Sequence, residues 1–290
     1  MKLIPVETPQ DFLVAEQFVS PHEETCVSLA SLIRRKSDKL VFISTSKTTV
    51  VEPGETTVST IVGILNLDST LYHCIPDITK IDKISLLEEL PYLLKKPVRC
   101  ISGEAASTDY LIQFFPNPKQ VYPYKMMRWN DSPSKVVSKG STTATILSGG
   151  EEIIRCTVND MDFLHPLQKD YMKDEVAVPG RTLTDAEVDI TLRQILKNQL
   201  CLALTVDGEI VAKANTNAIG INCVQLGGVY THPLYRRNGY AGALVQALCK
   251  RATQAGRKPV LFVKEKNKPA FSLYQKLGFE ECGHYTIAYY

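Results

Sequence analysis

The segment Gly227-Gly228-Val229-Tyr230-Thr231-His232-Pro233-Leu234-Tyr235-Arg236-Arg237-Asn238-Gly239-Tyr240-Ala241-Gly242 constrains the fold more than any other. The run from Asn222 to Thr231 reads as a strand that stops at Pro233. From Ala241 to Ala255, Leu244, Val245, Leu248 and Ala252 share one helical face, and Gly256 ends the helix. The amides at a helix start lack intrahelical partners and carry partial positive charge, which suits a diphosphate. Gly239, Ala241 and Gly242 let the backbone approach such an anion closely, and Arg236 and Arg237 can add charge-assisted hydrogen bonds. By itself the loop also reads as a plain turn into a surface helix. A Walker P-loop is excluded, because no Gly-Lys-Ser/Thr follows the glycines. A Rossmann fingerprint is excluded because it belongs to the first βα turn, and this loop comes late.

Short strands and helices surround the loop. Ile153 to Val158 reads as a strand, and Asn159 or Asp160 can cap a helix towards Glu175, interrupted near Pro166. Thr184-Asp185-Ala186-Glu187 is a capping box that opens a helix to about Asn198. Leu200 to Val206 and Glu209 to Asn215 read as strands joined by an Asp207-Gly208 turn. Gly227-Gly228 points to a bulge or close approach in the next strand, or to a kink without function. Pro259 to Val263 reads as a buried strand, Pro269 to Leu277 as a helix closed by Gly278, and Tyr285 to Tyr290 as a last strand.

The first half reads as a faded copy of this plan, similar in order more than in identity. Helices are expected at Pro9 to Phe18 and near Thr25 to Arg35, with strands at Leu40 to Ser44, Thr49 to Val51 and Val58 to Leu67. Asp109 to Phe115 and then Tyr122 to Trp129 parallel the closing helix and strand. Between the halves, Asp131 to Gly150 is rich in Ser, Thr and Gly and reads as a linker, with Thr143 to Leu147 a candidate short strand. The expected division is residues 1–132, a linker at 133–150, and residues 151–290. A chain of 290 residues is long enough for two hydrophobic cores.

Charge and composition exclude several functions. A net charge of +2 advertises neither nucleic acid nor an anionic membrane, and no apolar run approaches the roughly 20 residues of a bilayer span. Met1-Lys2-Leu3-Ile4-Pro5 leads at once into polar residues, without a signal-peptide core. The eight cysteines stand singly, mostly in apolar runs, which suggests buried reduced thiols and a cytoplasmic protein. The five histidines have no cysteine or carboxylate at ligand spacing, so no metal is expected.

Downstream of the loop come Val263-Lys264-Glu265-Lys266-Asn267-Lys268-Pro269-Ala270 and Leu273-Tyr274-Gln275-Lys276-Leu277-Gly278-Phe279. Together, the two signals resemble the GNAT superfamily of acyl-CoA-dependent N-acyltransferases. Its R/Q-x-x-G-x-G/A pyrophosphate motif is met by Arg236, Gly239 and Ala241. Its second signature is met by Asn267, Ala270, Tyr274, Lys276, Gly278 and Phe279. The resemblance covers roughly Glu151 to Tyr290. It implies an α+β fold (an α/β sandwich) of two GNAT-like domains, each a mixed, mostly antiparallel sheet flanked by helices. It further implies that acetyl-CoA lies in the V between the strand ending at Thr231 and the strand Pro259 to Val263. Val229, Tyr230 and Thr231 would bond the pantetheine arm. Arg236, Arg237, Asn238, Gly239, Tyr240, Ala241, Gly242 and Asn267 would complete the cofactor site.

An alkyl amine has a pKa of about 10.4, so deprotonating it at neutral pH costs ~4 kcal/mol and calls for a base. The neutral amine attacks the thioester carbonyl, whose oxyanion needs a donor such as the Val229 amide. The departing thiolate needs a proton, and Tyr274 matches the family's usual general acid; its other reading is a core tyrosine beside Leu273 and Leu277. The base is open. Asp170, Asp174 and Glu175 cluster on the first helical region, and Glu175 resembles a recurring Tyr-x-x-x-Glu pattern with Tyr171, although a solvated helix end is the competing account. The Gln225 strand offers no carboxylate, which favours a water-mediated route. The first half has no comparable loop, and aligning Gln113 with Gln275 sets Ile112 opposite Tyr274, so that half reads as non-catalytic. The expected activity is N-acetyl transfer to a primary amine: a small molecule, amino acid or peptide N-terminus. The alternatives are an acyl-CoA-binding scaffold and an ordinary α/β binding module. A homodimer is left open.

Overall fold

The computed structural model describes residues 1–51, 54–130, 145–147, 150–176 and 182–290. Most of the expected linker therefore lies outside the described residues. The first half runs β1 (Lys2–Pro5), α1 (Pro9–Val19), α2 (Val27–Arg34), β2 (Leu40–Val51), β3 (Gly54–Asn66), β4 (Thr70–Cys74), α3 (Lys83–Leu93), β5 (Cys100–Glu104), α4 (Ala105–Ile112) and β6 (Gln120–Trp129). A short β7 (Thr145–Leu147) follows. The second half runs β8 (Glu151–Cys156), α5 (Met161–Tyr171), α6 (Asp185–Asn198), β9 (Cys201–Val206), β10 (Glu209–Ile219), β11 (Cys223–Thr231), α7 (Tyr240–Gln254), β12 (Lys258–Lys264), α8 (Lys268–Lys276) and β13 (Phe279–Tyr289). Apart from β7 the halves repeat one order: strand, two helices, three strands, helix, strand, helix, strand.

Local chemistry sets the helix starts. Thr8 with Asp11 and Thr184 with Glu187 form reciprocal capping boxes that satisfy amides at the openings of α1 and α6. Pro166 does not interrupt α5, contrary to the sequence expectation. Pro166 and Asp162 are both exposed, so water can reach the carbonyl that proline leaves without a helical donor. The helix instead changes at its end, into one π-helical turn, Met172–Val176, that carries Asp174 and Glu175.

All the strands join one sheet in the order β1-β2-β3-β4-β5-β13-β6-β12-β11-β10-β9-β8-β7. Pairing is antiparallel except for β4 with β5 and β11 with β12. The closing strands are exchanged between halves. β13 pairs with β5 from Tyr285↔Glu104 to Tyr289↔Cys100, while β6 pairs with β12 from Val260↔Arg128 to Lys264↔Tyr124. β6 and β13 then run against each other from Phe279↔Trp129 to Tyr289↔Gln120.

Under α7, Leu202, Leu204, Ala212, Ala214, Leu226, Leu261 and Phe279 form a core that also takes Met127 from β6. On the opposite face, Leu164, Leu192 and Leu196 of α5 and α6 cover Cys156, Cys201 and Ala203. The halves are also tied through Glu23, which is 1% exposed in the turn between α1 and α2. Its carboxylate accepts from the amides of Ile221 (2.7 Å), Asn222 (2.9 Å) and Cys223 (2.9 Å) in the turn joining β10 to β11. Seven cysteines are buried and Cys282 is partly so, all as free thiols.

Candidate active site

Strands β11 and β12 pair only from Cys223↔Lys258 to Leu226↔Leu261. Beyond Leu226 they part, and the backbone edge from Gly227 to Thr231 is left facing a cleft of about 750 Å³. The cleft brings together Val229, Tyr230, Thr231, Arg236, Arg237, Gly239, Tyr240, Ala241, Gly242, Asn267, Tyr274 and Glu175. Of the expected cofactor-binding residues Asn238 alone is not on its wall, and of the three clustered carboxylates Asp170 is off it. Asn238 donates from Nδ2 to the Tyr235 carbonyl at 3.2 Å and so shapes the loop.

The edge carries a bulge, as the paired glycines suggested. Register jumps from Lys213↔Tyr230 to Asn215↔Gly227, leaving Gly228 and Val229 opposite Ala214 alone. Gly228 has φ +59°, and a Cβ there would lie 1.9 Å from Asn215 Oδ1. Gly228→Ala is therefore expected to destabilise the fold by about 2–3 kcal/mol in chemical denaturation, from left-handed strain plus the clash. Unchanged stability would mean that the bulge adopts another form.

At the mouth of the cleft, Arg237 (φ 67°) and Gly239 (φ 82°) are both left-handed, which turns the chain sharply into α7. α7 has no side-chain cap, and its first backbone bond runs from the Ala243 amide to the Gly239 carbonyl at 3.0 Å. Among the described residues, the amides of Tyr240, Ala241 and Gly242 thus have no acceptor, beside a glycine with open space where a side chain would stand. Arg236 is partly engaged elsewhere. Its Nε donates to the Thr231 carbonyl at 3.1 Å, and its guanidinium is 3.9 Å from Asp174 Oδ2 and 5.5 Å over the Tyr230 ring. Tyr230 in turn donates its hydroxyl to Asp174 at 3.0 Å. The Tyr240 hydroxyl reaches away to Glu151 at 3.3 Å.

Asn267 caps α8, accepting from the Ala270 amide at 3.1 Å, and so fixes the helix that presents Tyr274. Tyr274 is 8% exposed and packs against Phe279 with ring centroids 5.9 Å apart. Burial, reinforced by Tyr171 and Glu175, pushes its pKa well above the ordinary tyrosine range. Glu175 is not a free carboxylate. Its Oε2 lies 3.7 Å from Lys264 Nζ, its Oε1 accepts from Asn267 Nδ2 at 3.4 Å, and its backbone carbonyl accepts from the same lysine. Burial lowers the Lys264 pKa against the opposing pull of Glu175.

Among the wall residues that escaped the sequence reading are three with polar side chains. Tyr124 enters from β6 of the first half and Lys264 from the end of β12, while Asn217 lies on β10. Lys213 also escaped, although it lies off the wall: it is fully buried behind the bulge, where its Nζ donates to the Gly228 carbonyl at 3.0 Å and Asn215 Oδ1 at 3.3 Å. A lysine between Ala212 and Ala214 in an apolar strand is a readable signal of a buried cation. Burial brings its pKa down to about 8.

The matching place in the first half is plugged. Beyond the last β4–β5 pair, Tyr72↔Ser102, the buried His73 ring occupies the space beside Gly103, where a Cβ would lie 2.1 Å from Nε2. His73 Nε2 hydrogen-bonds with Thr108 Oγ1 at 2.9 Å. Counted from the helix caps Glu104 and Asn267, the residue opposite Tyr274 is Leu111 instead of Ile112; either lacks a hydroxyl.

Residues 207–287 match the family described as FR47-like protein. An acetyltransferase of the GNAT family from Colwellia psychrerythraea aligns with 100% of this chain and 99% of its own, with a TM-score of 0.54 and 12% identity. A Drosophila protein aligns with 98% of this chain and 91% of its own, with a TM-score of 0.54 and 14% identity. A predicted acetyltransferase from Clostridium acetobutylicum, solved with acetyl-CoA, covers 46% of this chain and 91% of its own, at a TM-score of 0.38 and 21% identity. No curated protein matches. The full-length likenesses show the fold: both halves together have the α+β architecture of GNAT acetyltransferases. Among the described residues, no helix is long and apolar enough to cross a membrane and no cluster could hold a metal ion.

Proposed function

We propose that this GNAT-type fold is an N-acetyltransferase that moves the acetyl group of acetyl-CoA to a primary amine by direct attack. The observation that carries the reading is the continuity of one surface. An unpaired strand edge at Gly227 to Thr231 leads without interruption to the unpartnered amides that open α7. A pantetheine arm can bond the edge like an added strand, and its diphosphate then arrives at a partial positive charge. The bulge turns Val229 out of register, which makes its amide available to an oxyanion.

Tyr274 projects from α8 into the same cleft and supplies a proton to the departing thiolate. Glu175, already paired with Lys264, acts on the amine as a charge partner or through water, and the Gln225 position supplies no carboxylate. The first half is non-catalytic in this reading. His73 fills its cleft, no glycine loop joins β4 to α3, and leucine replaces the acid. It contributes β6 and Tyr124 to the working cleft instead.

Incubation with acetyl-CoA and a broad panel of primary amines is expected to release free thiol. CoA binding without thiol release from any amine would favour the acyl-CoA-binding scaffold. Gly239→Glu is expected to weaken CoA binding at least about a hundredfold in calorimetry, since it sets a carboxylate against the diphosphate at a left-handed position. Unchanged affinity would refute the diphosphate seat.

A further inference from the structure

Lys213 starts a directed chain of hydrogen bonds that ends at the cleft. Ala212 and Ala214 pack under α7, so Lys213 and Asn215 stand on the opposite face, where the Tyr171 ring of α5 covers Lys213 Nζ at 4.9 Å. An ammonium only donates, so Asn215 must turn its Oδ1 to the lysine, at 3.3 Å. Its Nδ2 is thereby committed to donate, and it does so to the Thr216 carbonyl and to Asn217 Oδ1, both at 3.0 Å. Asn217 has then spent its oxygen inside the chain.

What Asn217 presents to the cleft is consequently an N–H donor. Among the described residues nothing accepts from its Nδ2. The amide lies over Gly227, where any Cβ would fall 2.1 Å from Nδ2, so the missing side chain is what gives it room. Asn217 is exposed on the cleft wall close to Gln225, which pairs with its neighbour Ala218. The face matters too. The diphosphate seat belongs to α7, on one side of the sheet, while Asn217 is reached from the α5 side.

We infer that Asn217 is a specificity-determining residue whose amide, aimed by Lys213 through Asn215, holds a carbonyl-type oxygen of the acceptor amine. The inference rests on the transferase reading above. Lys213 and Asn215 are positioning residues, since neither lines the cleft.

The test uses the full chain, saturating acetyl-CoA, and matched primary amines that differ only in carrying or lacking a carbonyl oxygen near the amine. Thiol release gives KM and kcat for each. The wild type is expected to favour the oxygen-bearing amine. Asn217→Asp and Asn217→Ala are each expected to raise its KM about ten- to a hundredfold while the KM for acetyl-CoA changes less than about twofold. Lys213→Met should lower the same preference with Asn217 in place, whereas a merely structural lysine would depress kcat for both amines alike. Equal use of the two amines by wild type, or a preference that survives both Asn217 variants, overturns the inference. No thiol release by wild type with any amine is a different result: the transferase reading then fails and takes this one with it.

Discussion

Tyr274→Phe is expected to lower acetyl-transfer turnover by about a hundred- to ten-thousand-fold, while CoA affinity changes less than about threefold. The change removes one hydroxyl from a side chain whose ring stays packed on Phe279. Among the described residues no hydrogen bond is made by that hydroxyl, so the fold should scarcely register its loss. The chemistry should register it strongly, because an unprotonated thiolate recaptures the acetyl group. Burial holds the phenol neutral throughout the neutral pH range, since its pKa is shifted upward. It therefore remains loaded with its proton, and no alkaline loss of activity below about pH 10 should trace to it. The same apolar wall raises the cost of the thiolate, so proton transfer between the two is not penalised by the shift. Single-turnover rates across pH, with calorimetry on CoA, check both halves of the prediction. A large loss of CoA affinity would instead make Tyr274 a structural residue.

Glu23→Ala is expected to cost about 3–5 kcal/mol of stability in chemical denaturation, a large effect for a residue remote from the cleft. Truncation leaves the amides of Ile221, Asn222 and Cys223 facing the place of a lost acceptor that was 1% exposed. An orphaned buried donor costs about 1–3 kcal/mol, and here one buried and two part-buried donors lie together. The turn they form holds β10 against β11, and α2 beside it places Ser28 Oγ 3.4 Å from Gln225 Oε1 in the cleft. Acceptor kinetics should therefore suffer along with stability. Glu23→Gln keeps one acceptor oxygen and should recover part of the loss. A cost below about 1 kcal/mol for the alanine variant would show that solvent replaces the carboxylate at no penalty, and that the halves are held by other contacts.

The second half was legible because its chemistry is written in contiguous runs. Strand, loop and helix from Gly227 to Gly242 stand side by side in sequence, as do Asn267 and Tyr274, and the order of elements follows from them. The first half was less so, and the reasons are physical. β4 is five residues long and buries His73, and α3 contains Pro91 while exposing Ile84, Leu87 and Tyr92, so neither shows a clean period. The strand exchange was not legible at all. β6 and β13 alternate as any half-buried strand does, and nothing local states which edge each will join. Lys213 was passed over although its apolar flanks mark a buried cation; what a single strand cannot reveal is the partners it meets, the Gly228 carbonyl and Asn215. The orientation of the Asn215 and Asn217 amides depends entirely on that lysine.

The exchanged strands also govern how the molecule is made. The ribosome finishes the first half long before it reaches Phe279 to Tyr289, yet β5, which has β4 on one side, finds its second neighbour only in that last stretch. Until that strand arrives, the edge of β5 away from β4 has no partner from the finished sheet. Closure joins residues as distant as Cys100 and Tyr289, and pairing across so long a stretch of chain is expected to be slow. Cutting the gene at the apparent boundary would give two polypeptides, each lacking the strand that finishes its sheet. Co-expressed, the two should rescue one another.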